Sequence, residues 1–180
     1  MLKNSADSYG LVSKLLHWSI ALLILGLVAL GAYMVNLGYY DNGYYETRDW
    51  HKSLGLTVLL CGAVFLGWKM ISPSPPLPAS MGRLQRAAAN GAHHLLYLMM
   101  FVLPVTGYII TISEGKAVPV FGVLELPALF AVSDPVRDVA TKLHAWCAYG
   151  TAILAAGHAG AAIKHQLIDR DGILARMLWR

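Results

Sequence analysis

The sequence is poor in charge: Asp, Glu, Lys and Arg make up only 13% of its 180 residues. A soluble domain has about twice that share, so the composition excludes an ordinary soluble domain. Four long segments carry no charge at all, namely 15–40, 53–68, 87–113 and 143–163. About 20 mostly apolar residues cross the hydrocarbon layer, and three of the segments reach that length. The second is shorter, but Lys52 and Lys69 at its ends can extend to the interfaces. These segments predict an all-α fold, a transmembrane four-helix bundle.

The boundaries of the four helices follow from local signals. We expect one domain over residues 1–180, with helices at about 12–36, 52–71, 89–112 and 135–165. The first helix is expected to be retained rather than cleaved as a signal peptide, because it is long for one. The proline-rich connector 73–78 cannot continue a helix, and Ser133-Asp134-Pro135 is typical of a helix start. After His165 the tail is basic and amphipathic, which predicts that it lies on the inner membrane surface. Its apolar residues are Ile173, Leu174, Met177, Leu178 and Trp179.

The positive charges are distributed unequally between the two ends of this bundle. One end has Lys3, Lys14, Lys69, Arg83, Arg86, Lys164, Arg170, Arg176 and Arg180. The other end has Arg48, Lys52, Lys116, Arg137 and Lys142, among seven acidic residues. An excess of Lys and Arg marks the cytoplasmic side, so both termini are predicted to be cytoplasmic. The net charge of +4 therefore reflects membrane topology, and we expect membrane lipid and no nucleic acid as a partner.

Four of the seven histidines fall at two matched depths of the predicted bundle. His17 and His158 lie near the inner end, whereas His51 and His144 lie near the outer end. The fourteen residues between His144 and His158 span about 21 Å of helix and turn the second imidazole about 40° from the first. Ionisable groups inside an apolar span need a partner. The sequence thus predicts two imidazole pairs, stacked across the membrane, that share the fourth helix.

Two imidazoles at one level suit a haem iron that transfers electrons. The sequence has only two cysteines and no Cys-x-x-Cys-His motif, so a haem would not be attached through that motif. Small residues near the pairs either leave room for a flat macrocycle or serve close helix packing. They are Gly55, Gly150, Ala155, Ala156, Gly157 and Gly160. A non-redox site for zinc or copper is the alternative, and it is disfavoured because no Asp or Glu lies within a predicted span.

The chain resembles the bacterial cytochrome b561 family over essentially its whole length. The resemblance rests on Leu16-His17-Trp18, on Trp50-His51-Lys52-Ser53-Leu54-Gly55, on His93 ahead of a Pro104-x-x-Gly107 helix, on Leu143-His144 and on Gly157-His158. It implies two non-covalent haem b groups in the bacterial inner membrane, ligated by His17 with His158 and by His51 with His144. His93 corresponds to a histidine of the family that is not an axial ligand.

The resemblance also implies electron transfer from an outer donor to ubiquinone, and superoxide oxidation is one activity of the family. Superoxide is anionic, so outer cations would attract it. The candidates for this role are Lys52, Lys116, Arg137 and Lys142. A quinone site at the inner end needs hydrogen-bond donors, for which the candidates are Ser13, His93, Lys164 and His165. Alternatively, the acidic outer loops dock a basic periplasmic cytochrome or dehydrogenase, and the protein is an electron-transfer subunit without its own substrate site.

Overall fold

The computed structural model describes residues 1–78 and 80–178. Its main elements are four long helices, α1 (Leu11–Met34), α2 (Tyr44–Ile71), α3 (Arg83–Ile112) and α4 (Asp134–Lys164). The α3–α4 connection folds into a short antiparallel hairpin of β1 (Val118–Val120) and β2 (Leu124–Leu126). A π-helical turn (His165–Asp169) and a 3-10 turn (Leu174–Arg176) follow α4. The predicted all-α architecture of four long helices is confirmed.

Two helices begin earlier than the sequence predicts. Helix α2 begins at Tyr44 rather than near residue 52, directly after Gly43, whose φ of 85° suits glycine. Helix α3 begins at Arg83 rather than near residue 89, and the Gln85 side chain accepts a hydrogen bond from the Gly82 N–H there. In both cases the added turns are polar, so the helix continues beyond its apolar part. The limits of the apolar segments therefore mark the membrane-spanning part and not the whole helix.

Three helices, α1, α2 and α3, are long and apolar enough to cross a membrane. Helix α4 does not reach the same hydropathy, because alanine, glycine and two histidines fill much of its apolar stretch. It nevertheless exposes Trp146, Tyr149 and Ile153, which are 76%, 59% and 75% accessible. Three large apolar side chains on one face suit contact with lipid rather than water.

The helices pack mainly in chain order, α1 on α2, α2 on α3 and α3 on α4, whereas α1 and α4 make few close contacts. Ile20, Val58 and Met100 form a buried cluster where the first three helices meet. A Cβ atom at Gly62 would lie 2.9 Å from Met100 Cε, so glycine lets α2 and α3 approach at this level. The bundle is therefore tight on the α1–α2–α3 side and looser between α1 and α4.

The C-terminal tail, which the sequence predicts to lie on the inner membrane surface, is held against other parts of the protein by hydrogen bonds. The Met177 carbonyl accepts a hydrogen bond from Trp18 Nε1 at 3.1 Å, and the Arg176 carbonyl accepts one from the Tyr9 N–H at 3.3 Å. The Arg176 guanidinium donates to the Pro76 carbonyl at 2.8 Å. These bonds connect the tail to the N-terminal segment and to the α2–α3 connector. Trp179, which the sequence analysis counts among the apolar residues of the tail, lies outside the described residues.

We expect Ser53→Ala to loosen the outer hairpin. Ser53 is 2% exposed; its hydroxyl donates to the Asp49 carbonyl at 2.8 Å and accepts from the Phe121 N–H at 2.9 Å. Removing the hydroxyl leaves that N–H without its partner, at a cost of about 1–3 kcal/mol. Thermal unfolding in detergent should show a lower midpoint. Thr57→Ala is the control, since the Thr57 hydroxyl bonds only to the Ser53 carbonyl within α2. An equal loss in both variants would contradict the role given to Ser53.

Candidate functional site

One face of α4 carries His144, Thr151 and His158 at intervals of seven residues, which is about two helical turns. Thr151 is only 1% exposed, so this face points into the bundle. The lipid-suited residues Trp146, Tyr149 and Ile153 occupy other positions of the helix. Helix α4 thus presents two imidazoles, one above the other, to the helices across from it.

At the outer level the His144 ring meets the His51 ring of α2, with the ring centroids 6.1 Å apart. At the inner level the His158 ring meets the His17 ring of α1, at 6.2 Å. The structure therefore brings together the same two pairs that the matched depths predict. The outer pair therefore joins α4 to α2 and the inner pair joins α4 to α1, although α4 packs most closely on α3.

A third histidine stands at the inner level. The His93 ring of α3 lies 5.2 Å from the His158 ring and nearly perpendicular to it. Trp18 packs edge-on against His17 at 5.3 Å. The inner site is therefore more crowded and more polar than the outer one.

The spacing of each pair fits one metal ion held between two imidazoles. A ligating imidazole nitrogen lies about 2 Å from its metal, and the ring centre about 1 Å further, so two opposed ligands have centroids about 6 Å apart. The observed separations of 6.1 Å and 6.2 Å match this value. Direct hydrogen bonding between the rings would bring them closer.

The environment of His144 favours the tautomer that a metal needs. The Thr106 hydroxyl oxygen lies 2.8 Å from the Val102 carbonyl, 2.9 Å from the Leu103 carbonyl and 2.9 Å from His144 Nδ1. When the hydroxyl donates to one of these carbonyls, its oxygen accepts from a protonated Nδ1, and Nε2 keeps its lone pair. Such a bond fixes the orientation of a metal-ligating histidine.

His51 has a buried Nδ1 atom without a hydrogen-bond partner in the described part of the chain. A Cβ atom at Gly31 of α1 would lie 3.2 Å from His51 Cε1, and one at Gly107 of α3 would lie 3.4 Å from His144 Cε1. Glycine at both positions lets the two outer imidazoles press against a neighbouring helix. Each outer imidazole therefore packs against a neighbouring helix, His51 against α1 and His144 against α3.

Several small residues around the pairs border open volume. Added Cβ atoms at Gly55, Gly150, Gly157 and Gly160 would meet no atom of another residue within 4 Å. These glycines do not serve close helix packing in the structure, which was one of their two predicted uses. Gly150, Gly157 and Gly160 are exposed, and Gly160 shares the outward face of Ile153, so the feature that suits a flat cofactor is the small number of close contacts between α1 and α4.

A cavity of about 650 Å³ lies at the outer end of the bundle, and its lining includes Lys52 but not His51. Lys52 and Lys116 line it, two of the four cations that the sequence offers for an anionic donor. Each is paired with a carboxylate, Lys52 with Asp49 at 3.2 Å and Lys116 with Glu114 at 3.2 Å. Arg48 also lines the cavity, beneath the Tyr44 hydroxyl, to which it donates at 2.7 Å.

The other two outer cations do not line this cavity. Arg137 bridges Asp134 at 2.8 Å and Asp138 at 2.9 Å. The hydrogen bond and charge of Asp138, and then the charge of Asp134, raise the pKa of the Arg137 guanidinium. Lys142 is exposed on α4. The charge of Glu114, which lines the cavity, also contributes to the raised pKa of Arg137.

Three of the four inner candidates have protein partners. Ser13, 4% exposed, accepts a hydrogen bond from Trp68 Nε1 at 2.9 Å. Lys164 donates to Asp169 Oδ1 at 2.8 Å, and His165 Nδ1 lies 2.6 Å from Asp171 Oδ2. These contacts join helices or hold the tail. Of the candidates for the inner site, only His93 lies against an imidazole pair.

Sequence reasoning missed the residues that support the histidines. Thr106, Gly31, Lys69 and Tyr97 carry no motif that marks them. Their importance depends on which face of each helix meets its neighbour, and one sequence does not give the rotation of each helix. The only sequence signal for Thr106 was its position two residues after Pro104 in the third helix.

An apolar helical bundle with two imidazole pairs at metal-ligating distance defines a membrane cytochrome. The sequence matches a family described as prokaryotic cytochrome b561 over residues 8–180, and the chain belongs to this family. The family resemblance drawn from the sequence is therefore confirmed.

Three relatives illustrate the match. The chain is similar to cytochrome b561 homolog 2 of Escherichia coli strain K12, with 39% identity over 97% of this chain and 93% of the relative. It is 31% identical to cytochrome b561 homolog 1 of the same organism, over 92% of this chain and 93% of the relative. It is also 23% identical to the probable superoxide oxidase CybB of Yersinia pestis, over 91% of each.

Family membership establishes the general character of the protein. It is a membrane protein of bacterial cytochrome type that takes part in electron transport, and its family binds haem b. The histidine geometry fits that cofactor, because each pair offers two imidazoles at one level of the bundle.

We expect Thr106→Val to change the potential of a haem held between His51 and His144. Without the hydroxyl, His144 loses its hydrogen-bond acceptor at Nδ1, becomes a weaker electron donor and raises the potential by tens of millivolts. Potentiometric titration of the haem absorbance measures this shift.

Thr111→Val is the matched control, since Thr111 is also buried in α3 but bonds only to the Gly107 carbonyl. A potential that moves equally in both variants would show that the Thr106–His144 bond has no special role.

Proposed function

We propose that the protein is a di-haem oxidoreductase of the bacterial inner membrane, which carries electrons from a periplasmic donor to ubiquinone. The observation that carries the proposal is the presence of two imidazole pairs at two levels of one helix. All four helices cross the membrane in this proposal, with both termini in the cytoplasm. The excess of Lys and Arg at the end that holds both termini supports this orientation.

The ligand roles follow from the pairs. His51 and His144 hold the outer haem b, and His17 and His158 hold the inner one, all without covalent attachment. Haem iron with two imidazole ligands supplies one-electron transfer. The chain keeps the imidazoles neutral and oriented, and it sets the distance between the two levels.

We propose superoxide as the donor. Two superoxide ions each lose one electron and become oxygen, while one ubiquinone gains both electrons and two protons and becomes ubiquinol. Lys52 and Lys116 are the cations best suited to guide superoxide, since both line the outer cavity. The relative from Yersinia pestis named as a probable superoxide oxidase supports this choice at 23% identity. Arg137 and Lys142 would contribute only through their charge at longer range.

The inner end is the proposed site of ubiquinone reduction. His93 is the favoured contact for the quinone or for a haem carboxylate, because its ring lies 5.2 Å from that of His158. Ser13, Lys164 and His165 would contribute less directly, since each is held by another part of the protein.

A second candidate function is electron transfer to or from a periplasmic protein partner, without a substrate site. One observation favours it: the charged residues that line the outer cavity cancel, three cations against three carboxylates. They are Arg48, Lys52, Lys116, Asp49, Glu114 and Glu125. A neutral cavity attracts superoxide less than a basic one would.

We expect His51→Leu and His17→Leu each to lower the haem content from two per chain to one. A haem that keeps a single imidazole ligand in this apolar bundle is weakly held, whereas the other level stays intact. Haem content per chain in purified protein measures this. His94→Leu is the control, because His94 is exposed and contacts the Asn90 carbonyl of its own helix. One haem per chain in the unchanged protein would show that one of the two pairs is not a haem site.

We expect opposite changes in the rate of superoxide-driven ubiquinone reduction when a cation of the outer cavity is neutralised and when a carboxylate of the same cavity is neutralised. Lys116→Gln should lower the rate several-fold and Glu125→Gln should raise it, because both residues line the cavity and superoxide is an anion. Rapid mixing with superoxide at low and high ionic strength measures both effects, which salt should reduce.

If neither variant changes the rate and a basic cytochrome reduces the protein rapidly, the function as an electron-transfer subunit is favoured. Slow reduction by every small donor would lead to the same conclusion.

A further inference from the structure

Lys69 occupies an unusual position at the inner end of α2. Its ammonium group donates to the Tyr97 hydroxyl of α3 at 3.2 Å and to the Ser74 hydroxyl at 3.3 Å. It also lies 4.9 Å from the centre of the Tyr97 ring. The side chain is thus directed against α3, and the residue is half-buried.

All of these partners are neutral. Within the described residues Lys69 forms no salt bridge, as is also true of the half-buried Arg48 and Arg86, whereas Lys52, Lys116, Arg137 and Lys164 each form one. The C-terminal end of α2 and the Tyr97 ring supply only partial negative charge. A half-buried cation without a full counter-charge is costly to keep, so its position favours an anionic partner.

Lys69 is connected to the inner imidazoles through aromatic contacts. The Tyr97 ring stacks nearly parallel to the His93 ring, with centroids 6.2 Å apart and planes at 20°. The His93 ring in turn contacts His158. Lys69, Tyr97 and His93 therefore follow one another towards the inner pair, and each carries a group that can donate a hydrogen bond to an oxygen ligand.

We propose that Lys69 and Tyr97 form a binding site for an oxygen acceptor at the inner haem, either a carboxylate of that haem or the oxygen of a bound quinone. The proposal rests on the proposed function, because it assumes a haem at the His17–His158 level. Both sources offer the same chemistry, an oxygen that accepts two hydrogen bonds and carries or develops negative charge. Lys69 and Tyr97 act by binding and positioning this oxygen.

The test uses the full-length haem protein with three substitutions. Lys69→Met removes the charge but keeps a long apolar side chain, Lys69→Arg keeps the charge, and Tyr97→Phe removes only the hydroxyl. Arg83→Gln is the matched control, since Arg83 is an exposed cation at the same end of the bundle. Two quantities are measured for each variant, the potential of each haem and the KM for a water-soluble ubiquinone.

If the ligand is a haem carboxylate, Lys69→Met should shift the one-electron equilibrium of the inner haem about tenfold towards the oxidised form, which is 59 mV. The KM should stay unchanged. If the ligand is the quinone, the KM should rise about tenfold while both potentials stay unchanged. Either result supports the site, with Lys69→Arg close to the unchanged protein and Tyr97→Phe altered in the same direction by less.

If Lys69→Met moves neither quantity more than Arg83→Gln does, the proposal is overturned. Should Lys69→Met fail to assemble, Tyr97→Phe decides in the same way. If the unchanged protein binds haem but does not reduce ubiquinone, the proposed function fails, and the haem potential alone decides the Lys69 site. An unshifted potential would then overturn it.

Discussion

The structure depends on how imidazoles are accommodated inside an apolar bundle. An ionisable side chain at membrane depth needs a partner that compensates for lost water, and α4 carries two such side chains seven residues on either side of the buried Thr151. Each imidazole of α4 faces a second one on α1 or α2 at the separation that one shared metal sets. Helices α1, α2 and α3 pack closely through Ile20, Val58 and Met100, whereas α4 meets α1 mainly at the level of His17 and His158.

Helix α4 illustrates the compromise that a buried cofactor imposes on a membrane helix. Its alanines and glycines contribute little apolar area, so α4 is less hydropathic than the other three helices. Large side chains on its outer face, such as Trp146 and Ile153, restore apolar surface where lipid would lie.

The sequence predicted the features that depend on spacing along the chain. Apolar length gave the four helices, and histidine depth gave the two pairs, because position along a straight helix translates directly into depth. Features that depend on helix rotation or on folded loops were not predictable: the Thr106–His144 bond, the Lys69–Tyr97 contact and the hairpin that Ser53 holds. The pairing of Lys52 with Asp49 was missed because the second helix was expected to begin near residue 52, whereas α2 begins at Tyr44 and brings these two residues together as neighbours three apart on the helix. The sequence therefore predicted which histidines form pairs, but it did not predict the charge balance of the outer cavity.

The most direct test of the central claim is electron paramagnetic resonance of the oxidised, unmodified protein, with the haem content determined on the same sample. Two imidazole ligands at each level should give two low-spin ferric signals of equal intensity and two haem groups per chain. A single low-spin signal with one haem per chain would contradict the account. A high-spin signal from one of the haem groups would also contradict it, because it would mean that one histidine of a pair does not bind the iron.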